Sequence, residues 1–178
     1  FDQLDRDYDY VFMLAAMVGV DKVNAVPHEV IRVNSLLLLN SLEWLRASSC
    51  NRVVFSSTSE TYAGTIEAFG YDVPTNEDVP LSIEDVSHPR FTYAITKMLG
   101  ESGFINYSRQ GYFESVVVRY HNVYGPKGTY GGGREKAPAA LCRKIIDAKL
   151  SNKNSIDVWG DGEQTRSFMY IDDCIDGT

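Results

Sequence analysis

The sequence predicts an α/β fold in which a parallel sheet is covered by helices on both faces, the doubly wound arrangement. Three observations lead there. Short, nearly continuous apolar runs recur at residues 10–15 (YVFMLA), 53–56 (VVFS) and 115–119 (SVVVR), as strands buried on both faces require. The segments between them carry apolar residues at helical spacing. The residues best suited to ligand contact fall just past the strand ends, where ligands bind in such sheets.

Taken in order, residues 10–15 form the first strand, and residues 27–47 form a helix with Val30, Val33, Leu37, Leu38, Leu42 and Leu45 inward. Residues 53–56 are the second strand, ending in small hydroxylated residues. Residues 74–90 are polar, proline-bearing and loop-like. Residues 93–109 read as a helix with Ile95, Met98, Leu99, Phe104 and Tyr107 inward, and residues 115–119 as the third strand. Residues 125–133, with five glycines and a proline, form a loop before a helix over 137–150. Short strands at 156–159 and 167–171 flank the turn GDGEQT, and Asp172 and Asp173 suit the start of a final helix. The expected division is a core at 1–124 and a second segment at 125–178 that returns one strand to the core.

The chain has 178 residues, 44% hydrophobic and 12% aromatic, enough for one globular domain with a real core. A net charge of -7 and a pI of 4.9 argue against nucleic-acid or membrane-surface binding. Cys50, Cys142 and Cys174 are widely spaced and form no CxxC pair, which predicts reduced thiols, a cytoplasmic setting and no metal site. No apolar run approaches the roughly 18 residues of a membrane span, and no signal peptide is expected.

The functional signal lies in four motifs: LAA (14–16), SSTSETY (56–62), YAITK (93–97) and RYHNVYGP (119–126). Residues four apart share a helix face, so Tyr93 and Lys97 are neighbours. A Tyr-xxx-Lys alone also fits a surface pair. Four motifs in this order resemble the extended short-chain dehydrogenase/reductase family, and within it the NAD-dependent nucleotide-sugar epimerases, dehydratases and decarboxylases. The resemblance covers essentially the whole chain and implies a Rossmann-type core. The family's opening GxxGxxG turn, which cradles the cofactor pyrophosphate at a helix N-terminus, does not occur here. The expectation is therefore an internal piece of a protein about twice as long.

The resemblance implies chemistry for particular residues. Family members oxidise a sugar carbon, usually C4, with NAD, which requires a base for the hydroxyl proton. A free phenol has a pKa of about 10, and bringing Tyr93 to neutrality takes roughly 4 kcal/mol. Lys97 and the positive nicotinamide ring would supply that, and Lys97 would also bind the nicotinamide ribose. Thr58 falls where the family places a catalytic hydroxyl; the plain alternative is a polar turn at a strand end. Glu60 would abstract a proton at C3 or C5 of the 4-keto sugar, or assist decarboxylation at C5; the plain alternative is a loop carboxylate. Thr58-Ser59-Glu60 matches UDP-glucuronate decarboxylases, and Ser59 lacks the acid that a 4,6-dehydratase uses.

The second half looks most like GDP-mannose 3,5-epimerase, in which the lysine of REK, here Lys136, acts across the ring from a cysteine that falls at Glu60. Lys136 also fits a solvated helix start. Cofactor contacts are expected from Leu14, Ala15, Ala16, Ser56, Ser57, Tyr120, Asn122 and Val123, besides Tyr93 and Lys97. Substrate contacts are expected from Arg90, Asn122, Arg134, Trp159, Gly160 and Arg166, the last offering a planar fork for phosphate. The reading is an NAD-dependent nucleotide-sugar epimerase working through a 4-keto sugar, with decarboxylation or dehydration as the alternative. An idle NAD-binding scaffold is the alternative of another class. The family's habit of pairing two long helices implies a homodimer.

Overall fold

The computed structural model describes residues 1, 3–72 and 74–178. They form two compact units, Phe1–Tyr120 and His121–Thr178. In the first, β1 (Tyr10–Met13), β2 (Arg52–Thr58) and β3 (Glu114–Tyr120) make a parallel sheet in the order β1-β2-β3. Its register pairs Val11 with Val53, Val53 with Ser115, Phe55 with Val117 and Ser57 with Arg119.

Helix α1 (Val20–Ala25) ends where Pro27, lacking an N–H, begins α2 (Pro27–Arg46) in the first-turn position that proline tolerates. Helix α4 (Phe91–Arg109) connects β2 to β3. The strand order advances in one direction, so right-handed crossovers place α2 and α4 on the same face. There they pack on each other and enclose Leu38, Leu42, Leu45, Val53, Phe55 and Phe104. Among the described residues α2 and α4 cover one face of this sheet. Tyr10 and Phe12, which point away from those helices, are 61% and 54% exposed. Leu99, expected inward on α4, is exposed as well.

Two glycines permit the close fit of α4. A Cβ on Gly103 would stand 2.8 Å from Leu42 Cδ1, and one on Gly100 would enter the Phe55 ring. Between β2 and α4 lie a 3-10 turn (Ser59–Tyr62) and α3 (Ala63–Phe69), which the sequence pattern did not signal. The proline-bearing loop is fastened to α3: fully buried Thr65 donates to the Pro80 carbonyl at 2.6 Å and accepts from Ser82 N at 3.0 Å.

In the second unit β4 (Asn122–Tyr124) pairs in parallel with β5 (Phe168–Tyr170), forming its own two-stranded sheet. Helix α6 (Ile171–Gly177) packs on both strands, with Asp172 and Asp173 in its first turn. Helix α5 (Ala137–Leu150) follows the glycine-rich loop. The strand expected at residues 156–159 does not form. Lys144 Nζ on α5 takes the Asp157 carbonyl at 2.6 Å, and Gly160 turns the chain away at φ 81°. Among the described residues no helix is long and apolar enough to cross a membrane.

Candidate active site

The carboxyl ends of β1 and β2 and the first turns of α4 meet in the first unit. Leu14, Ala15 and Ala16 follow β1, and the loop they open is clamped by a residue that sequence reasoning missed. Buried Asn34 on α2 accepts from Met17 N at 2.7 Å, donates to Met17 O at 3.1 Å, and reaches Thr96 Oγ1 on α4 at 3.4 Å. Ser56 Oγ ties β2 to β1 by donating to the Met13 carbonyl at 3.0 Å.

Helix α4 begins two residues earlier than the pattern indicated, because Phe91 N and Thr92 N bond back to His88 O and Pro89 O. Tyr93 therefore stands in the first turn, where the helix dipole favours negative charge. Lys97, one turn on, is 5% exposed. Its Nζ donates to the Ser56 carbonyl at 2.6 Å and lies 3.4 Å from Ser56 Oγ, with the Phe55 and Tyr93 ring centroids at 4.9 and 5.6 Å. Those partners are neutral, and burial brings the ammonium's pKa down from 10.5 to about 8. Burial, joined by the Glu60 carboxylate, pushes the Tyr93 phenol up to about 12. The lowering expected of Tyr93 drew on Lys97 and the nicotinamide ring together, and Lys97 by itself does not supply it. Lys97 lies over the ring rather than on the phenol oxygen, so desolvation outweighs its attraction.

Thr58 ends β2 and caps the 3-10 turn, its Oγ1 accepting from Glu60 N at 3.3 Å. The turn thereby presents Thr58 and Glu60 beside α4, which packs against it. Glu60 is held by Arg90, with Nε 3.4 Å from Oε2, and Arg90 Nη1 lies 3.7 Å from Glu67. The structure thus brings Ser56, Ser57, Thr58, Glu60, Arg90, Tyr93 and Lys97 to one end of the sheet.

Below them runs an ion pair between a buried carboxylate and a half-buried guanidinium. Arg119 Nε and Nη2 grip Glu101, the latter at 2.7 Å, and Arg119 Nη1 donates to Tyr62 OH at 2.8 Å and to Glu77 O at 3.2 Å. Ser57 Oγ donates to the same Glu101 carboxylate. The Glu101 hydrogen bonds, helped by Tyr62 and opposed by burial, hold the guanidinium above its ordinary pKa. The signal for Glu101 was available: it lies four residues past Lys97 and eight past Tyr93, on the same face.

The other candidates belong to the second unit, apart from Tyr120, which ends β3 opposite Thr58. Asn122 and Val123 lie in β4, and Asn122 Nδ2 donates to the Ser167 carbonyl at 3.1 Å. Arg134 is exposed in the loop, and Lys136 is the exposed N-cap of α5. Trp159 is 89% exposed beside Gly160, and Arg166 is exposed, donating to its neighbour's carbonyl, Thr165 O.

A parallel sheet with a threonine at one strand end and a buried Tyr-xxx-Lys helix beside it defines a Rossmann-type enzyme scaffold. The chain belongs to the NAD dependent epimerase/dehydratase family, which matches residues 2–178. It is 36% identical over 176 residues to GDP-mannose 3,5-epimerase 1 of Oryza sativa subsp. indica, covering 98% of this chain and 44% of that protein. It is 34% identical over 177 residues to the UDP-N-acetyl-alpha-D-glucosaminuronate decarboxylase of Bacillus cytotoxicus, covering 99% and 50%. Among solved structures it resembles the NAD dependent NDP-hexosamine 5,6-dehydratase TunA, involved in tunicamycin biosynthesis. That match has a TM-score of 0.74 at 30% identity, over 96% of this chain and 50% of that one. The chain therefore spans about half the length of these relatives.

Proposed function

We propose that the whole protein is an NAD-dependent nucleotide-sugar epimerase acting through a transient 4-keto sugar, and that this chain supplies its acid–base residues. The observation that carries the reading is the buried Lys97 ammonium. It is charged, set between two rings, and satisfied by neutral oxygens alone among the described residues. Such a group suits a ribose diol and the edge of a nicotinamide. Lys97, Ser56, Ser57 and the loop of Leu14, Ala15 and Ala16 would hold NAD, with Tyr120, Asn122 and Val123 contributing. When bound, NAD accepts the hydride from C4 and returns it.

Tyr93 takes the C4 hydroxyl proton, and Thr58 shares it through a hydroxyl that both donates and accepts. A phenol held at about 12 by burial needs nearby positive charge to ionise, which Lys97 in its charged form contributes. Once C4 is a ketone, the hydrogens at C3 and C5 become acidic. Glu60 and Lys136 then remove and return a proton there. Arg90, Arg134, Asn122, Trp159, Gly160 and Arg166 bind the nucleotide diphosphate and sugar, so segment 125–178 serves the substrate and segment 1–124 the cofactor. The Thr58-Ser59-Glu60 triplet and the decarboxylase relative support a second reading, loss of the C5 carboxylate from a nucleotide hexuronate. We further propose a cytoplasmic homodimer paired through the outer faces of α2 and α4, where Ile31, Leu36, Leu39 and Leu99 are exposed.

The test is to incubate the full-length protein with GDP- and UDP-sugars in heavy water and follow the products by NMR. Deuterium at C3 or C5, suppressed by Glu60→Gln and by Lys136→Met, supports the proton-transfer pair. Carbon dioxide released from a UDP-hexuronate favours decarboxylation. Inversion at C4 with no carbon-bound deuterium removes Glu60 and Lys136 from the chemistry. No turnover and no NADH signal with any nucleotide sugar refutes the enzyme reading.

A further inference from the structure

We infer that Glu101 and Arg119 are positioning residues for this chemistry: their ion pair, acting through Ser57 and Tyr62, sets where Thr58 and Glu60 stand relative to Tyr93 and Lys97. The inference rests on the function proposed above for those four residues.

The pair joins every element that carries them. Glu101 lies on α4, one turn past Lys97 and two past Tyr93. Arg119 lies on β3, in register with Ser57 on β2. Ser57 is bonded to Glu101 and immediately precedes Thr58. Tyr62 closes the 3-10 turn that holds Glu60, and its hydroxyl accepts from Arg119 while the guanidinium stacks 4.9 Å from its ring centroid. Displacing α4 against the end of β2 would therefore break the Glu101 bonds to Ser57 and Arg119 together, and displacing the 3-10 turn would break the Tyr62–Arg119 bond.

Stability alone does not account for such a pair. Apolar residues of similar volume often fill such a place as well or better, because the carboxylate must be desolvated fully and the guanidinium in part. A guanidinium does what an apolar residue does not: its planar fork fixes the angle as well as the distance of each partner. The site above needs that constraint, since a shift of about 1 Å in a reacting group can lower a rate about 10²-fold.

The test uses the full-length enzyme and the sugar it turns over. Arg119→Lys keeps the charge that neutralises Glu101 but removes the fork. Assayed well below its unfolding midpoint, it should lose kcat roughly 10- to 100-fold, with KM and NAD affinity at wild-type values. Tyr62→Phe deletes one hydroxyl, leaves the ring in place and carries the same test if Arg119→Lys fails to fold; its kcat should fall several-fold, again without a change in KM. Wild-type kcat in whichever variant folds overturns the inference, as does activity lost only in proportion to the folded fraction. A wild-type protein that turns over no nucleotide sugar instead overturns the proposed function on which the inference stands.

Discussion

Replacing Lys97 by methionine should make the cofactor-free protein more stable while destroying the proposed active site. Nζ is buried among neutral partners, and burial lowers its pKa from 10.5 to about 8. At 1.36 kcal/mol per pH unit, keeping the ammonium charged at pH 7 costs about 3 kcal/mol. Methionine retains much of the aliphatic stem against Phe55 and forfeits the 2.6 Å bond to the Ser56 carbonyl, which takes back about 1–2 kcal/mol. The expected net gain at pH 7 is about 1–2 kcal/mol. Its pH dependence has a definite sign. Between pH 8 and 10.5 the folded protein binds fewer protons at Lys97 than the unfolded chain, so wild-type stability rises through that window, and below pH 8 the penalty is complete. Tyr93, held at about 12, makes the folded state bind more protons above pH 10 and lowers stability there. Urea unfolding at pH 7 and at about pH 9.5 avoids that second effect, and wild type should recover about 2 kcal/mol on the variant between them. A variant less stable than wild type at pH 7, or a gap that does not change with pH, would refute the account of Lys97.

Tyr93→Phe in the full-length protein should lower kcat about 10²- to 10⁴-fold while nucleotide-sugar affinity, measured by calorimetry, stays at the wild-type level. A variant with half the activity would reduce the tyrosine to a helix-face residue. Gly100→Ala should destabilise by about 1–3 kcal/mol in urea unfolding, because the new methyl enters the Phe55 ring at the centre of the core. An unchanged midpoint would mean that α4 can move off the sheet without loss.

The strands β1, β2 and β3 were legible as apolar runs and α2 and α4 by the face they bury, while α5 was legible from its apolar spacing although none of its residues is buried. What the sequence withheld has physical causes. Helix α3 is seven residues long and begins Ala-Gly-Thr, too short and too small-sided to show a period; its Gly64 answers to the Ser82 carbonyl, not to propensity. Residues 156–159 have a strand's composition, but a ladder needs a neighbour, and Lys144 takes the carbonyl one would use. At the site, spacing placed Tyr93 and Lys97 on one helix face, but not their burial, which depends on Phe55 and Ser56, remote in the chain. Asn34 escaped notice since it acts on backbone that only the fold brings near; Glu101 was readable from helix spacing, and Arg119 opened a motif whose partners in Tyr62 and Glu101 only the fold supplies.

The pairing of Ser57 with Arg119 has a consequence for how the sheet assembles. Side chains alternate along a strand, so a slip of β3 by one residue would swing Arg119 to the face bearing Tyr10 and Phe12 and offer Glu101 a valine or a tyrosine. The apolar run Val116–Val117–Val118 would tolerate that error, since one valine packs much like the next. The carboxylate would not: a buried charge that loses its partner costs roughly 3–5 kcal/mol. Glu101 and Arg119 thus act as a key that distinguishes the correct alignment of β3 from its neighbours.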